Sequence, residues 1–393
     1  MKRIGELEKK YVMDALDNAF ATSLNSVYNT RLEKDFAKKF HAGYAIGHCN
    51  GTATLHTALG ALGIGPGDEV IVPALTMSST SMPVVLTGAV PVFADSDIDT
   101  FQISASSIAN VITPRTKAII TVALYGLSPD YDPILALCKQ HGIRLIEDNA
   151  ECFLGEYKGR LVGEFGDFAS FSFQSSKHLT TGEGGMLTCN DEDLADKARR
   201  FNCLGYAGVN AKQAKITRND IQDPNYSRHI SIGSNYRMSE LQAACACAQL
   251  ERAEELVGVR IAVARIFDEA LEGQSLLKPQ FVPAGYKNSY WTYCCVLQTD
   301  HPETDWYRFR DLFQKNGGDG YYAAWKLSYN ETAYQDIVQH MPGVWQRYDA
   351  SLCPNAEYLQ KRMIQLKTNY FDLEEARKQA AILRRTIEEF KNA

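Results

Sequence analysis

The chain has 393 residues, 45% of them hydrophobic and 22% charged, with a formal net charge of −6. This length exceeds most single cores and points to two or three domains, and the composition is that of a globular protein with large cores, which excludes a disordered or membrane-embedded chain. The mild acidic balance, with no basic block, argues against nucleic acid as a partner.

No segment approaches the ~18–20 consecutive apolar residues that a bilayer span needs. The opening MKRIGELEKKYV has no apolar export core, so a cytoplasmic location is expected. Ten cysteines, at 49, 138, 152, 189, 203, 245, 247, 294, 295 and 353, are scattered through apolar stretches with no CxxC pair, as expected of buried free thiols. No metal-ligand spacing is present.

Residues 6–20 and 31–41 carry apolar positions three and four apart and read as docking helices. From residue 43 the pattern alternates between strand and helix. Strands are expected at 44–48, 70–72, 90–93, 117–123 and 143–147. Helices are expected at 53–62, 79–86, 104–111 and 133–141, the first of them capped at Asn50 and closed by Gly63. Such alternation implies a mostly parallel sheet with helices on both faces, and ligands then sit at the carboxyl ends of the strands.

Two further short strand-forming runs, 168–173 and 186–188, flank a polar, glycine-rich turn with Lys177 in its middle. Residues 204–231 are rich in turn formers and read as a long surface excursion. The stretch 239–271 has no proline and reads as one long connecting helix ending at Gly273. Beyond it, a strand at 290–297 and helices at 305–315 and 374–392 indicate a smaller α+β domain.

Three polar features fall at strand ends. Asn50-Gly51-Thr52 opens a helix and offers free backbone N–H groups to an anion. Asp148 ends one strand and Lys177 follows another. This is the set that pyridoxal 5′-phosphate requires: a lysine amine to condense with the aldehyde and move substrate protons, a carboxylate to keep the pyridine nitrogen protonated, and a phosphate site to which Ser172 can add a hydroxyl. Each piece also has an ordinary reading, as a solvated loop lysine, a helix-capping aspartate and a simple turn.

The motifs NGTATLHTAL (50–59), GIGPGDEVIVPALT (63–76), GAVPVFADSD (88–97), ITPRTKAII (112–120), YGLSPDYDPI (125–134), RLIEDNAECFLGEYKGRLVG (144–163), FSFQSSKHLTTGEGGML (171–187), GSNYRMSELQAA (233–244) and CPNAE (353–357) run through most of the chain. With them the chain resembles the nucleotide-sugar aminotransferases of the DegT/StrS group, fold type I enzymes dependent on pyridoxal phosphate. The resemblance implies an α/β large domain, residues 1–250 with N-terminal helices at 1–42, built on a mostly parallel seven-stranded-type sheet sandwiched by helices. A smaller C-terminal α+β domain would occupy 251–393.

It also implies transfer of an amino group from an amino acid, L-glutamate in particular, to a keto group of a nucleotide-linked sugar. Lys177 would carry the cofactor and Asp148 would meet its pyridine nitrogen. Glu151 would lie near its phenolic oxygen, and Gly51, Thr52 and Ser172 would bind its phosphate. Asn235, and with it Arg237, would reach the phosphate of a neighbouring subunit, making a homodimer with active sites at the subunit interface the minimal active unit. Glu183 would be structural, holding the lysine loop.

Two departures concern the substrate. Met77 stands where the family commonly has a phenylalanine or tryptophan stacked on the cofactor ring; its thioether can still lie on an aromatic face. The usual histidine- and proline-containing C-terminal motif is replaced by GGDGYYAAWKLSYNETAY (317–334), whose Tyr321, Tyr322, Trp325 and Tyr329 suit either a stacked base or sugar, or core packing. Some relatives carry histidine at the lysine position and dehydrate the sugar. Since His178 is adjacent, amination depends on Lys177 being the residue that faces the cofactor. A catalytically silent cofactor-binding regulator is the remaining alternative.

Overall fold

The structure is a computed structural model that describes residues 2–20, 26–212, 217–340 and 352–392. Its strands are β1 Tyr44–His48, β2 Glu69–Pro73, β3 Val90–Ala94, β4 Thr116–Val122, β5 Arg144–Asp148, β6 Glu156–Tyr157, β7 Arg160–Leu161, β8 Phe168–Ser172, β9 Gly185–Cys189, β10 Leu277–Pro279, β11 Tyr286–Lys287, β12 Thr292–Leu297, β13 Tyr322–Ala323 and β14 Met363–Lys367. Seven of them form one sheet in the order β1-β9-β8-β5-β4-β2-β3. β9 alone runs against its neighbours, pairing antiparallel with β1 and β8, while the pairs from β8 to β3 are parallel. The expected mostly parallel seven-stranded sheet is therefore present. Its strands read as apolar runs because helices cover both faces, and β2, β8 and β9 are buried along their whole length.

Local capping chemistry sets the helix ends. Asn50 accepts from the Ala53 N–H at 2.8 Å and starts helix Gly51–Ala61, while Gly142, at φ 65°, takes the left-handed turn that ends Tyr131–His141. The second docking helix runs Val27–Lys39, four residues earlier at its start than its periodicity suggests. Its first turn is capped from afar, since Glu240 accepts from the Ser26 hydroxyl at 2.5 Å and the Tyr28 N–H at 2.6 Å. The helix expected at 79–86 is only Met82–Leu86.

The stretch 239–271 is not one helix. It divides into Glu240–Glu251 and Ala253–Leu271 at Arg252, whose backbone lies at φ −99°, ψ 12°. No proline or glycine forces the break. The guanidinium of Arg252 is drawn instead to Glu8 at 2.7 Å and to the Lys2 carbonyl at 2.8 Å.

A second sheet, antiparallel in the order β10-β12-β14-β13, lies in the C-terminal part. Helices Ala253–Leu271, Pro302–Lys315 and Leu373–Lys391 close a core on it around Phe267, Phe309, Ile364 and Leu383. Its other face joins the main core through Cys294 and Val296. Asp95, just past β3, accepts from the backbone N–H groups of Asn355 at 3.0 Å and Ala356 at 2.8 Å, tying the CPNAE segment to the main sheet. A small sheet, β11-β6-β7, has no counterpart in the sequence reading, because two-residue strands leave no periodicity.

Within 204–231, helix Arg218–Gln222 is present and residues 213–216 lie outside the described residues. All ten cysteines are free thiols. Among the described residues no helix is long and apolar enough to cross a membrane.

Candidate active site

The carboxyl ends of β5 and β8 and the helix that follows β1 converge on a cavity of about 530 Å³. Gly51, Thr52, Met77, Asp148, Glu151, Ser172 and Lys177 all line it. Helix Gly51–Ala61 is pressed so closely on β8 that a Cβ on Gly51 would stand 2.8 Å from Ser172 Cβ, and Thr54 Oγ1 bonds Ser170 Oγ at 2.5 Å. A helix N-terminus with unsatisfied N–H groups is thereby held beside the Ser172 hydroxyl, which is an anion cradle.

The lysine and the two carboxylates face one another across the cavity. Asp148, 4% exposed, accepts from Thr80 Oγ1 at 2.9 Å and from the Ala150 N–H at 3.1 Å. Burial raises its pKa, while these bonds and the Lys177 charge pull it back down. Glu151 accepts from the Tyr125 N–H at 3.0 Å and from Lys177 Nζ at 3.3 Å. Burial raises its pKa too, opposed first by Lys177. The neighbouring Glu147 turns to the opposite side of β5, where it accepts from the N–H groups of Gly163, Phe165 and Gly166 at 2.7–2.8 Å and so fixes the loop leading into β8.

Lys177, not His178, reaches the cavity. The His178 ring is 1% exposed, 2.9 Å from the Ser289 carbonyl and packed beside Phe153, and burial drives its pKa well below the usual imidazole value.

Thr80 and Trp291 were not singled out from the sequence, whereas Trp325 was among the stacking candidates there. Thr80 sits in a turn with no motif around it. Trp291 and Trp325 supply the aromatic surface of the cavity, with Tyr125 behind them and the three ring planes within 5–11° of parallel. Lys177 Nζ lies 4.1 Å from the Trp291 ring centroid. Met77 lines the cavity but is 49% exposed.

The cluster 321–329 divides three ways. Tyr321 and Tyr329 are buried, the first against Phe309 and Phe313 and the second against Phe93; Tyr322 is exposed; and Trp325 faces the cavity. Glu183 also lines the cavity, and its main-chain carbonyl accepts from Thr181 Oγ1 and Gln242 Nε2, both at 2.6 Å. The chain does not bring Asn235 or Arg237 to its own cavity. Asn235 is exposed, and Arg237 pairs its backbone with His48.

The model of the DegT/DnrJ/EryC1/StrS aminotransferase family matches residues 2–381. The chain belongs to that family. Among its relatives, the GDP-perosamine synthase of Caulobacter vibrioides is 40% identical over 298 residues, 75% of this chain and 76% of that protein. The spore coat polysaccharide biosynthesis protein SpsC of Bacillus subtilis is 35% identical over 92% of this chain and 90% of its own length. An aminotransferase from Psychrobacter cryohalolentis superposes with a TM-score of 0.83 at 30% identity, covering 99% of this chain and 98% of that one.

This family member is a pyridoxal-phosphate-dependent aminotransferase, and its cavity fits that cofactor. The anion cradle suits a phosphate, the buried carboxylate suits a pyridine nitrogen and the amine suits an aldehyde.

Proposed function

We propose that this aminotransferase moves an amino group from an amino acid, L-glutamate, to the keto group of a GDP-linked sugar. The GDP-perosamine synthases among its relatives support the nucleotide. The observation that carries the reading is the presence of Lys177 Nζ in the cavity, 3.3 Å from Glu151, while His178 is turned away. That arrangement favours amination over the dehydratase reading, which needs histidine at the lysine position.

When bound, pyridoxal phosphate supplies the electron sink that lets a carbon-bound proton leave. Lys177 Nζ takes the α-proton of the donor in the first half-reaction and delivers a proton to the sugar carbon in the second. Asp148 holds the ring nitrogen protonated. Gly51, Thr52 and Ser172 hold the phosphate, and Glu151 orients the lysine. Met77, which lines the cavity, would set its thioether against the cofactor ring.

The active unit proposed is a homodimer in which Asn235 and Arg237 serve the partner's cavity. Neither residue lines its own cavity, which supports this. Residues 1–250 form the cofactor-binding domain and 251–393 the smaller one. The setting is the cytoplasm, in keeping with ten unpaired thiols.

A screen of GDP-, UDP- and dTDP-linked keto sugars with L-glutamate, following release of 2-oxoglutarate, tests the reading. GDP-linked sugars should lead. Absence of 2-oxoglutarate with every keto sugar nucleotide would overturn it.

A further inference from the structure

Arg260 lies on helix Ala253–Leu271, outside the cavity and only 2% exposed. Among the described residues no carboxylate meets its guanidinium. Nη1 donates to the Trp291 carbonyl at 2.7 Å and to Thr368 Oγ1 at 3.1 Å, and Nη2 to the carbonyls of Ser176 at 2.9 Å and Lys177 at 3.1 Å. A buried guanidinium without a counter-charge is costly to keep. Burial first, and the charge of Arg3 second, pull its pKa down to about 9. Arg3 approaches from the N-terminal segment and donates to the carbonyls of Ser175 and Lys177.

The groups that Arg260 joins belong to one closed circuit. The Trp291 indole N–H donates to the Ser176 carbonyl at 3.0 Å, and its ring lies under the Lys177 ammonium. The Trp291 N–H donates to the Tyr125 carbonyl at 3.0 Å. The Tyr125 N–H donates to Glu151, and Glu151 accepts from Lys177. Tyr125 holds this place at φ 63°, in the left-handed region that a bulky side chain occupies only when its surroundings compel it.

We propose that Arg260 is the positioning residue for Lys177: by bonding the Ser176 and Lys177 carbonyls to the Trp291 carbonyl, it holds the amine between the Trp291 indole and the Glu151 carboxylate. The inference rests on the role proposed above for Lys177. Losing the clamp leaves the phosphate cradle intact and misplaces only the amine.

The test uses apo protein of the wild type and of the Arg260→Lys, Arg260→Met, Trp291→Phe and Lys177→Ala variants. Affinity for pyridoxine 5′-phosphate, which has no aldehyde, reads the cradle. The rate at which visible absorbance grows after mixing with pyridoxal phosphate reads the arrival of the amine. The expected result is analogue affinity within about twofold of wild type in the two Arg260 variants, with band growth slowed roughly ten- to hundredfold in Arg260→Met and by less in Arg260→Lys and Trp291→Phe.

Wild-type rates in Arg260→Lys and Trp291→Phe, or loss of analogue affinity in step with the rate in the Arg260 variants, would overturn the inference. Should Arg260→Met not fold, the other two variants decide on the same criteria. If Lys177→Ala keeps the band, the assignment of Lys177 and this inference both fall. If it loses the band while the Arg260 and Trp291 variants match wild type, this inference alone falls.

Discussion

Replacing Thr80 with valine removes one of the two hydrogen bonds that hold the Asp148 carboxylate, the one at 2.9 Å, and leaves the Ala150 N–H at 3.1 Å. A hydrogen bond to a charged group contributes about 1.5–3 kcal/mol, and one pKa unit corresponds to about 1.4 kcal/mol, so the loss amounts to about 1–2 units. The bond stabilises the charged form, and without it the carboxylate ionises less readily and its apparent pKa rises. If ionised Asp148 keeps the cofactor nitrogen protonated, the acid limb of kcat/KM for the amino donor moves to higher pH by about 1–2 units, with its plateau largely kept. Asp148, Glu151 and Lys177 interact, so the midpoint belongs to the group. Valine has the shape of threonine, and the thermal midpoint should change little. Thr76→Val serves as the control, since among the described residues the Thr76 side chain hydrogen-bonds to Thr80 alone, at 3.4 Å, and not to Asp148. An acid limb that stays in place, or moves to lower pH, in a folded and cofactor-loaded Thr80→Val protein would refute the reasoning.

Gly51→Ala sets a Cβ 2.8 Å from Ser172 Cβ and should weaken pyridoxal phosphate binding at least about tenfold, read by equilibrium dialysis, without loss of helix content. His48 is buried and its pKa is lowered to about 3 by desolvation, so the unfolded chain binds its proton near pH 6.5 while the native protein does not. Wild type should therefore lose stability relative to His48→Gln as pH falls from about 6.5 to 5, by up to about 1.4 kcal/mol per pH unit, measured from denaturation midpoints. Mixing inactive Lys177→Ala and Arg237→Ala subunits should restore about a quarter of wild-type activity if cavities are completed across a two-fold interface, and none if each chain serves itself.

The sheet was legible because strands buried on both faces leave short apolar runs such as KAIITVA, and because the Asn50-Gly51-Thr52 turn carries its capping chemistry locally. Asp148, at the end of β5, and Lys177, in the loop after β8, were legible for a related reason, since polar residues at the ends of apolar strands have few packing roles. The break at Arg252 left no trace, because its cause is Glu8, 244 positions away. Trp291 lies in a run that reads as strand, and it faces the cavity through contacts with residues remote in sequence, among them Tyr125, Ser176 and Arg260. The fates of Tyr321, Tyr329 and Trp325 diverge within nine residues, and only tertiary packing sorts them. Asn235 carries no local signal of its role, which is why the sequence pointed to it through family resemblance.

Lys177 chemistry is expected to place nitrogen on a sugar. The most direct measurement is incubation of the cofactor-loaded enzyme with ¹⁵N-labelled L-glutamate and a GDP-linked keto sugar, followed by mass spectrometry of the sugar nucleotide. The account predicts a ¹⁵N amino sugar with one 2-oxoglutarate formed per nitrogen transferred, and no such product from Lys177→Ala. A sugar that loses water without gaining label, or one that gains label equally well in Lys177→Ala, would contradict it.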